Sequence, residues 1–130
     1  MVRGIIIGHG EFAKAMVATA EQIVGAQSDI EILSNKGLSC DSLSGEIRKI
    51  IDSREKEQTI IFLDLPGGSC TISCYTLLKN NEDLNIVCGL NLPMLIEFFM
   101  LRENHTADEL VSILIKKGKE NIFKLRSKND

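Results

Sequence analysis

The stretch IIIGHGEFA, residues 5–13, joins an apolar run to the start of a helical pattern through a histidine between two glycines. The apolar run belongs to a longer segment, 2–8, whose β-branched residues predict a buried strand that stops at glycine. Residues 11–25 then place apolar side chains at helical spacing until a glycine ends the pattern. A strand that leads directly into a helix is the repeating unit of α/β proteins, and this stretch sets the expectation for the fold.

The same stretch allows two functional interpretations. Gly8, Gly10 and Ala13 fit Gly-x-Gly-x-x-Ala, a fingerprint of dinucleotide-binding folds, while His9 stands at the tip of the strand. The fingerprint requires an acidic residue about 20 positions later at the end of the second strand. Glu31 is near that count but lies inside its strand, and 130 residues leave little room for a dinucleotide and a substrate domain. The sequence therefore favours a functional role for His9 over dinucleotide binding.

The rest of the chain continues the alternation of strands and helices. Strand patterns occur at 28–34, 58–65 and 84–90, and helical patterns at 39–54, 69–79, 92–102 and 106–117. Gly118 is expected to end the last helix, and the tail at 121–126 is ambiguous between helix and strand. No repeat or long linker interrupts the pattern, so we expect one domain over residues 1–130.

Strand composition predicts the order of the sheet. Segments 2–8 and 58–65 are apolar throughout and belong at the centre, whereas 28–34 alternates apolar and polar residues like an edge strand. We therefore predict a three-layer α/β fold with a mainly parallel sheet of order 2-1-3-4 and helices on both faces. In this order the strands are added to one side of strand 1 and then to the other, so the topological switch point lies between strands 1 and 3. Open α/β sheets place their sites at such a switch point.

Composition excludes several classes of protein. The net charge of −3 gives no reason to expect nucleic acid, whose binding proteins usually carry a strongly basic face. The N-terminus lacks a signal peptide pattern, and the longest apolar run, 90–101, is too short and too polar to span a bilayer, so we expect a cytoplasmic protein. The four cysteines form no Cys-x-x-Cys pair and have no histidine at ligand spacing, which favours reduced, mostly buried thiols over a metal site.

The predicted switch point brings together two strand ends with complementary chemistry. Asp64 follows the third strand and is expected to meet His9, fixing the tautomer of the ring and leaving its other nitrogen as a nucleophile. Gly67, Gly68 and Ser69 follow in a tight turn at a helix start, where backbone N–H groups suit a phosphate. A histidine nucleophile, an orienting acid and an anion cradle predict phosphoryl transfer through a phosphohistidine, with no metal or cofactor required.

Other interpretations use the same residues. His9 and the glycines have an ordinary role in turns, and Ser69 one as a helix N-cap. A serine hydrolase built from Ser69, His9 and Asp64 has the required residue types but lacks the Gly-x-Ser-x-Gly elbow. The convergence of several features at one switch point favours phosphoryl transfer.

Three blocks of the sequence, GHGEFAKAM, FLDLPGGSCTIS and CGLNLPMLIEF, resemble the signature blocks of the mannose family of IIA components of the bacterial sugar phosphotransferase system. The resemblance runs from the first strand to the helix at 106–117. It implies that His9 takes a phosphoryl group from the phosphocarrier HPr and passes it to a IIB component, which feeds a membrane IIC/IID permease. It further implies that Asp64 hydrogen-bonds this histidine, and that Gly67, Gly68 and Ser69 lie beside the phosphoryl group.

The resemblance also implies a sheet of order 2-1-3-4 and a homodimer that exchanges a fifth, antiparallel strand, for which 121–126 is the candidate. The block at 89–95 is expected close to the rim of the site, and Phe12, Pro66 and Met94 are the hypothetical contacts with partner proteins. Cys70 stands where the family commonly has proline. This departure bears on the conformation of the loop, and we expect a packing role for the thiol.

Two alternatives remain open at this point. The domain has the features of a regulatory module that senses phosphorylation, and it also fits the phosphodonor subunit of a dihydroxyacetone kinase. Gly-His-Gly and Asn-x-Pro-Met favour the mannose-type component over the latter. The resemblance implies that the membrane subunits recognise the transported sugar, so its identity is not expected to be encoded in this chain.

Overall fold

A computed structural model describes residues 1–54, 57–80 and 84–127, without the side chains of Ser69 and Asn80. These residues form four strands and five helices in alternation. In chain order they are β1 (Arg3–Gly8), α1 (Phe12–Val24), β2 (Ile30–Ser34), α2 (Cys40–Asp52), β3 (Thr59–Leu63), α3 (Gly68–Asn80), β4 (Asn85–Cys88), α4 (Leu92–Leu101) and α5 (Ala107–Glu120).

The strands form a parallel sheet of order β2-β1-β3-β4, as predicted. Every residue of β1 and β3 is buried, while β2 at one edge is partly exposed. In the register of the central pair, Ile7 lies opposite Leu63. The residues that follow these two strands therefore emerge side by side at the carboxyl edge of the sheet.

Two apolar clusters fill the space on either side of the sheet. The first joins α1, α4 and α5 to side chains such as Ile6 and Phe62, and the second joins α2 and α3 to Ile5, Ile7 and their neighbours. Because side chains alternate across a strand, successive residues of β1 supply the two clusters in turn. Helix α1 thus covers one face of the sheet and α3 the other.

Helix ends depart in places from the sequence expectations. Helix α5 passes through Gly118 and ends at Glu120, which corrects the prediction that Gly118 ends it. A Cβ at position 118 would lie 2.7 Å from Cε of Met94, so the glycine permits close packing of α4 against α5. Asn91 reinforces this contact: its Oδ1 accepts the Met94 N–H and its Nδ2 donates to the Gly118 carbonyl at 3.0 Å.

The tail after α5 has no regular structure over the described residues 122–127. Its apolar side chains Ile122, Phe123 and Leu125 are exposed. The fifth strand expected at 121–126 is therefore not formed within the chain. Among the described residues, no helix combines the length and the apolar character needed to cross a membrane.

Candidate active site

A hydrogen-bonded pair, His9 and Asp64, occupies the carboxyl edge of the sheet between β1 and β3. The ring Nδ1 of His9 lies 2.8 Å from Oδ2 of Asp64, and the backbone N–H of His9 donates to the same oxygen at 2.8 Å. The His9 side chain is 44% exposed, whereas that of Asp64 is 6% exposed. A buried carboxylate thus supports an imidazole that reaches the surface.

The charge state of Asp64 determines which ring nitrogen carries the proton. Burial raises the pKa of this carboxyl, but hydrogen bonds from the backbone and ring of His9 and from the Leu65 N–H outweigh burial and hold the pKa below its usual value. Asp64 is consequently ionised at neutral pH and can only accept hydrogen bonds. Nδ1 of His9 must then be the donor, and in the neutral ring the lone pair is on Nε2.

A glycine turn borders the free nitrogen. Gly67 and Gly68 have φ angles of 86° and 79°, a region that L side chains rarely adopt. A Cβ on Gly68 would stand 3.9 Å from Nε2 of His9, so the first residue of α3 lies directly beside the ring. The Thr71 hydroxyl donates to the Gly67 carbonyl at 3.0 Å and fastens this turn to the helix.

The turn has the features of an anion site. Helix α3 begins at Gly68, so its first N–H groups and the positive end of its dipole lie at this position. An oxyanion bonded to Nε2 would meet that helix end. The expected contribution of the Ser69 side chain stays a prediction, because that side chain lies outside the described part of the structure.

Gly8 has a role that the sequence did not indicate. A Cβ at this position would lie 2.9 Å from Cδ1 of Phe12 and 3.4 Å from Oδ2 of Asp64. The missing side chain lets the carboxylate and the first residue of α1 approach β1 closely. Gly8 therefore permits the close packing of Asp64 and Phe12 against the end of β1.

The segment after β4 is tied to the site through the backbone. The N–H groups of Gly89 and Leu90 both donate to the Leu63 carbonyl at 3.0 Å, directly before Asp64. Met94 lies further along the same block and is only 5% exposed, packed in the core. The prediction of Met94 as a partner contact does not fit this burial, because its side chain is held against α5.

The other predicted contact residues are accessible to different extents. Phe12 is half-buried beside Gly8, and Pro66 is exposed in the loop between Asp64 and the glycine turn. Their contact with partner proteins stays a prediction.

The cysteines only partly follow the expected pattern of buried thiols. Cys70 and Cys74 are buried in α3, Cys40 is half-buried and Cys88 is exposed. Burial, with smaller contributions from Cys70 and Cys88, raises the pKa of Cys74 to about 12. Cys70 packs in the cluster beneath α3, as expected for a packing role. In the described ranges no group of three or more His, Cys, Asp or Glu residues is arranged to hold a metal ion.

Fold and site together define an α/β protein with an exposed histidine hydrogen-bonded to a buried carboxylate. Comparison with known proteins agrees: the family described as "PTS system fructose IIA component" matches residues 4–115. The chain belongs to this mannose-type IIA family, whose members are phosphotransferase components of sugar phosphotransferase systems.

Individual relatives are also named as components of PTS systems. The chain is 28% identical to the mannose-specific EIIAB component of Escherichia coli K12, over 98% of its own length and 41% of that protein. It is 30% identical to the sorbose-specific EIIA component of Lacticaseibacillus casei, covering 86% and 82% of the two chains. The chain thus spans about two fifths of the Escherichia coli protein and most of the other relative.

A solved structure shows the same architecture. The EIIA component of Streptococcus agalactiae superimposes with a TM-score of 0.87 at 25% identity, covering 95% of this chain and 97% of that one.

Proposed function

We propose that residues 1–130 act as one phosphocarrier domain, which accepts a phosphoryl group from phospho-HPr on Nε2 of His9 and donates it to a IIB component. One observation carries the proposal. The hydrogen bond from Nδ1 to the ionised Asp64 selects the tautomer in which Nε2 of the neutral ring carries the lone pair, and this nitrogen lies on an exposed ring beside the glycine turn at the start of α3.

The transfer requires one bond to form and one to break. The Nε2 lone pair of His9 attacks phosphorus in line, and the donor's P–N bond breaks with its electron pair returning to the donor histidine. The proton on Nδ1 stays in place, and the ring becomes a phosphorylated imidazolium whose positive charge faces Asp64. Main-chain N–H groups at the glycine turn, Gly67 to Ser69, stabilise the phosphoryl oxygens.

The test uses the two histidines of the chain, His9 and His105. With enzyme I, HPr and phosphoenolpyruvate, we expect one acid-labile phosphate per chain and none in His9→Ala. His105, whose Nδ1 lies 3.0 Å from the Leu101 carbonyl, provides the matched control, and His105→Ala is expected to label normally. Normal labelling of His9→Ala, or loss of label in His105→Ala alone, contradicts the proposal.

Onward transfer distinguishes a carrier from a phosphorylation sensor. The labelled protein, mixed with a purified IIB component, is expected to lose its phosphate to that partner and so to supply a IIC/IID permease. Retention of the phosphate in the presence of competent IIB components would favour the regulatory alternative.

We further propose that residues 121–126 form the exchanged fifth strand of a homodimer. Two features support this assignment: the tail carries exposed apolar side chains, including Ile122 and Phe123, and β4 is an edge strand of the sheet. Sedimentation equilibrium of the full chain is expected to give the mass of a dimer and that of a monomer for Phe123→Asp. A monomeric parent chain contradicts the assignment.

A further inference from the structure

The hydroxyl of Thr71 holds the peptide unit that leads into α3. Its Oγ1 donates to the Gly67 carbonyl oxygen at 3.0 Å. The peptide bond between Gly67 and Gly68 is trans, so its C=O and N–H lie in one plane and point in opposite directions. Because the Gly67 carbonyl points along α3 toward Thr71, the Gly68 N–H points outward from the start of the helix.

The Gly68 N–H emerges beside the reactive ring. Gly68 is the first residue of α3, and a Cβ built on it would stand 3.9 Å from Nε2 of His9. The first N–H groups of a helix have no acceptor within the helix. This N–H group is therefore positioned to donate to an oxygen of a phosphoryl group bonded to Nε2.

This peptide unit needs a restraint because it has a glycine on each side. Gly67 and Gly68 have φ angles of 86° and 79°. Glycine adopts positive and negative φ about equally well, so rotation of the peptide unit between two glycines meets little steric resistance. Such a rotation would turn the Gly68 N–H away from the ring. The Thr71 hydroxyl opposes it, because the rotation would remove its acceptor.

A second threonine in the same helix provides a direct comparison. The Thr76 hydroxyl donates to the Ile72 carbonyl at 3.2 Å, with the same spacing of four residues. Ile72 lies inside α3, where the regular helix fixes the orientation of each peptide unit. The two hydroxyls thus make the same bond, but that of Thr71 acts on a peptide unit which the helix does not fix.

Resting on the proposed function, we propose that Thr71 is a positioning residue for phosphoryl transfer. Its hydroxyl keeps the Gly68 N–H directed at the oxygens of the phosphoryl group on Nε2 of His9. Thr71 acts through the Gly67–Gly68 peptide unit and not by its own contact with the phosphoryl group. A donor that is oriented before the reaction stabilises the transition state without a cost of reorganisation.

The experiment removes the hydroxyl and compares two phosphoryl donors. Thr71→Val keeps the branched shape of the side chain. In single-turnover labelling we expect the rate at saturating phospho-HPr to fall about tenfold, less than the 100-fold or more that follows complete loss of an oxyanion donor. The concentration of phospho-HPr that gives half of this rate is expected to change less than about twofold. Phosphoramidate, a small donor, is expected to show the same fall, because the N–H acts on the phosphoryl group itself.

Two variants serve as matched controls. Thr71→Ser retains the hydroxyl and is expected to label at the parent rate. Thr76→Val removes the same atoms from the same helix, eight residues beyond Gly68, and is also expected to label at the parent rate. Urea unfolding of Thr71→Val and Thr76→Val is expected to give similar free energies of unfolding, which separates the loss of rate from a loss of stability.

The amide signal of Gly68 gives a readout that a purely structural role would not change. In ¹H–¹⁵N spectra of the parent chain, phosphorylation is expected to shift the Gly68 amide proton downfield, because this group gains a charged acceptor. In Thr71→Val the shift is expected to be smaller. A shift equal to that of the parent contradicts the proposal.

Four labelling results would also overturn it. A parent rate in Thr71→Val removes the hydroxyl from the reaction, and equal losses in Thr71→Val and Thr76→Val assign the effect to the helix as a whole. Failure of Thr71→Ser to restore the rate assigns the effect to the methyl group, and a loss confined to phospho-HPr assigns it to docking. In each case the parent chain still labels. A parent chain that labels with neither donor is a different result, because it refutes the phosphocarrier function itself.

Discussion

Oδ2 of Asp64 accepts two hydrogen bonds from His9, one from the backbone N–H and one from ring Nδ1, each 2.8 Å long. A single oxygen thus fixes both the position of the residue and the orientation of its ring. The second oxygen of the carboxylate is held by the Leu65 N–H at 2.9 Å. These three hydrogen bonds hold the carboxylate and the ring in one fixed arrangement.

The first prediction concerns the charge of this carboxylate. Asp64→Asn retains an acceptor oxygen but loses the negative charge that faces the phosphorylated ring. We expect the chain to fold and the rate of phosphorylation by phospho-HPr to fall about 100-fold, within the usual range for a group that assists proton placement. Single-turnover labelling measures this rate, and a rate equal to that of the parent chain removes Asp64 from the mechanism.

The second prediction concerns pH and stability. The pKa of Asp64 is lower in the folded chain than its ordinary value of 3.8, so ionisation of this group favours the folded state. Its contribution is complete above pH 3.8 and is lost as the pH falls through the lower, folded pKa. In urea unfolding, the advantage of the parent chain over Asp64→Asn is therefore expected to be constant near neutral pH and to shrink below pH 3.8.

Glu31→Gln, at an exposed position of β2, controls for the loss of one carboxylate. A difference between parent and Asp64→Asn that grows on acidification would contradict the linkage.

The third prediction concerns the close approach at Gly8. Gly8→Ala forces a methyl group to within 2.9 Å of Cδ1 of Phe12 unless α1 shifts, and we expect a loss of about 1–3 kcal/mol in the free energy of unfolding. Gly45→Ala is the matched control. A Cβ there, within α2, meets nothing within 4 Å, so the change is expected to stabilise the chain by about 0.5–1 kcal/mol. Equal effects of the two changes would refute the close-approach argument.

The fourth prediction concerns Asn91, which caps α4 and also bonds the Gly118 carbonyl of α5. Asn91→Ala removes both contacts and is expected to cost about 2 kcal/mol of unfolding free energy. Ser39 caps only α2, through the Ser42 N–H, and Ser39→Ala is expected to cost about 1 kcal/mol. Denaturant unfolding compares the two variants, and a cost for Asn91→Ala no larger than that for Ser39→Ala would show that the α5 contact adds nothing.

Local patterns were sufficient to predict the strand order and the meeting of His9 with Asp64. A strand that is buried on both faces is apolar throughout, and both central strands show this pattern. Residues that follow adjacent parallel strands lie at the same carboxyl edge of the sheet, which brings His9 and Asp64 together. The helices were likewise predicted to within a few residues, because each has one apolar face.

The packing of one helix on another and the close approach of side chains to glycines could not be predicted in this way. From the sequence, Met94 was expected to contact a partner protein at the rim of the site. In the structure α5 packs on its side chain, and Gly118 provides the space. The role of Gly8 similarly depends on the side chains of Phe12 and Asp64 that approach it in the fold. A glycine that ends a helix and one that admits a neighbouring side chain look alike in a sequence.

The division of the core into two clusters has a consequence for how activity reports on folding. His9 leads into α1 on one face of the sheet, and Gly68 opens α3 on the other. Loss of either helical layer would separate the nucleophile from its anion cradle, even if the opposite layer stayed intact. If His9 is the phosphoryl acceptor, as proposed, labelling requires both helical layers, and a partially assembled chain is expected to accept no phosphoryl group.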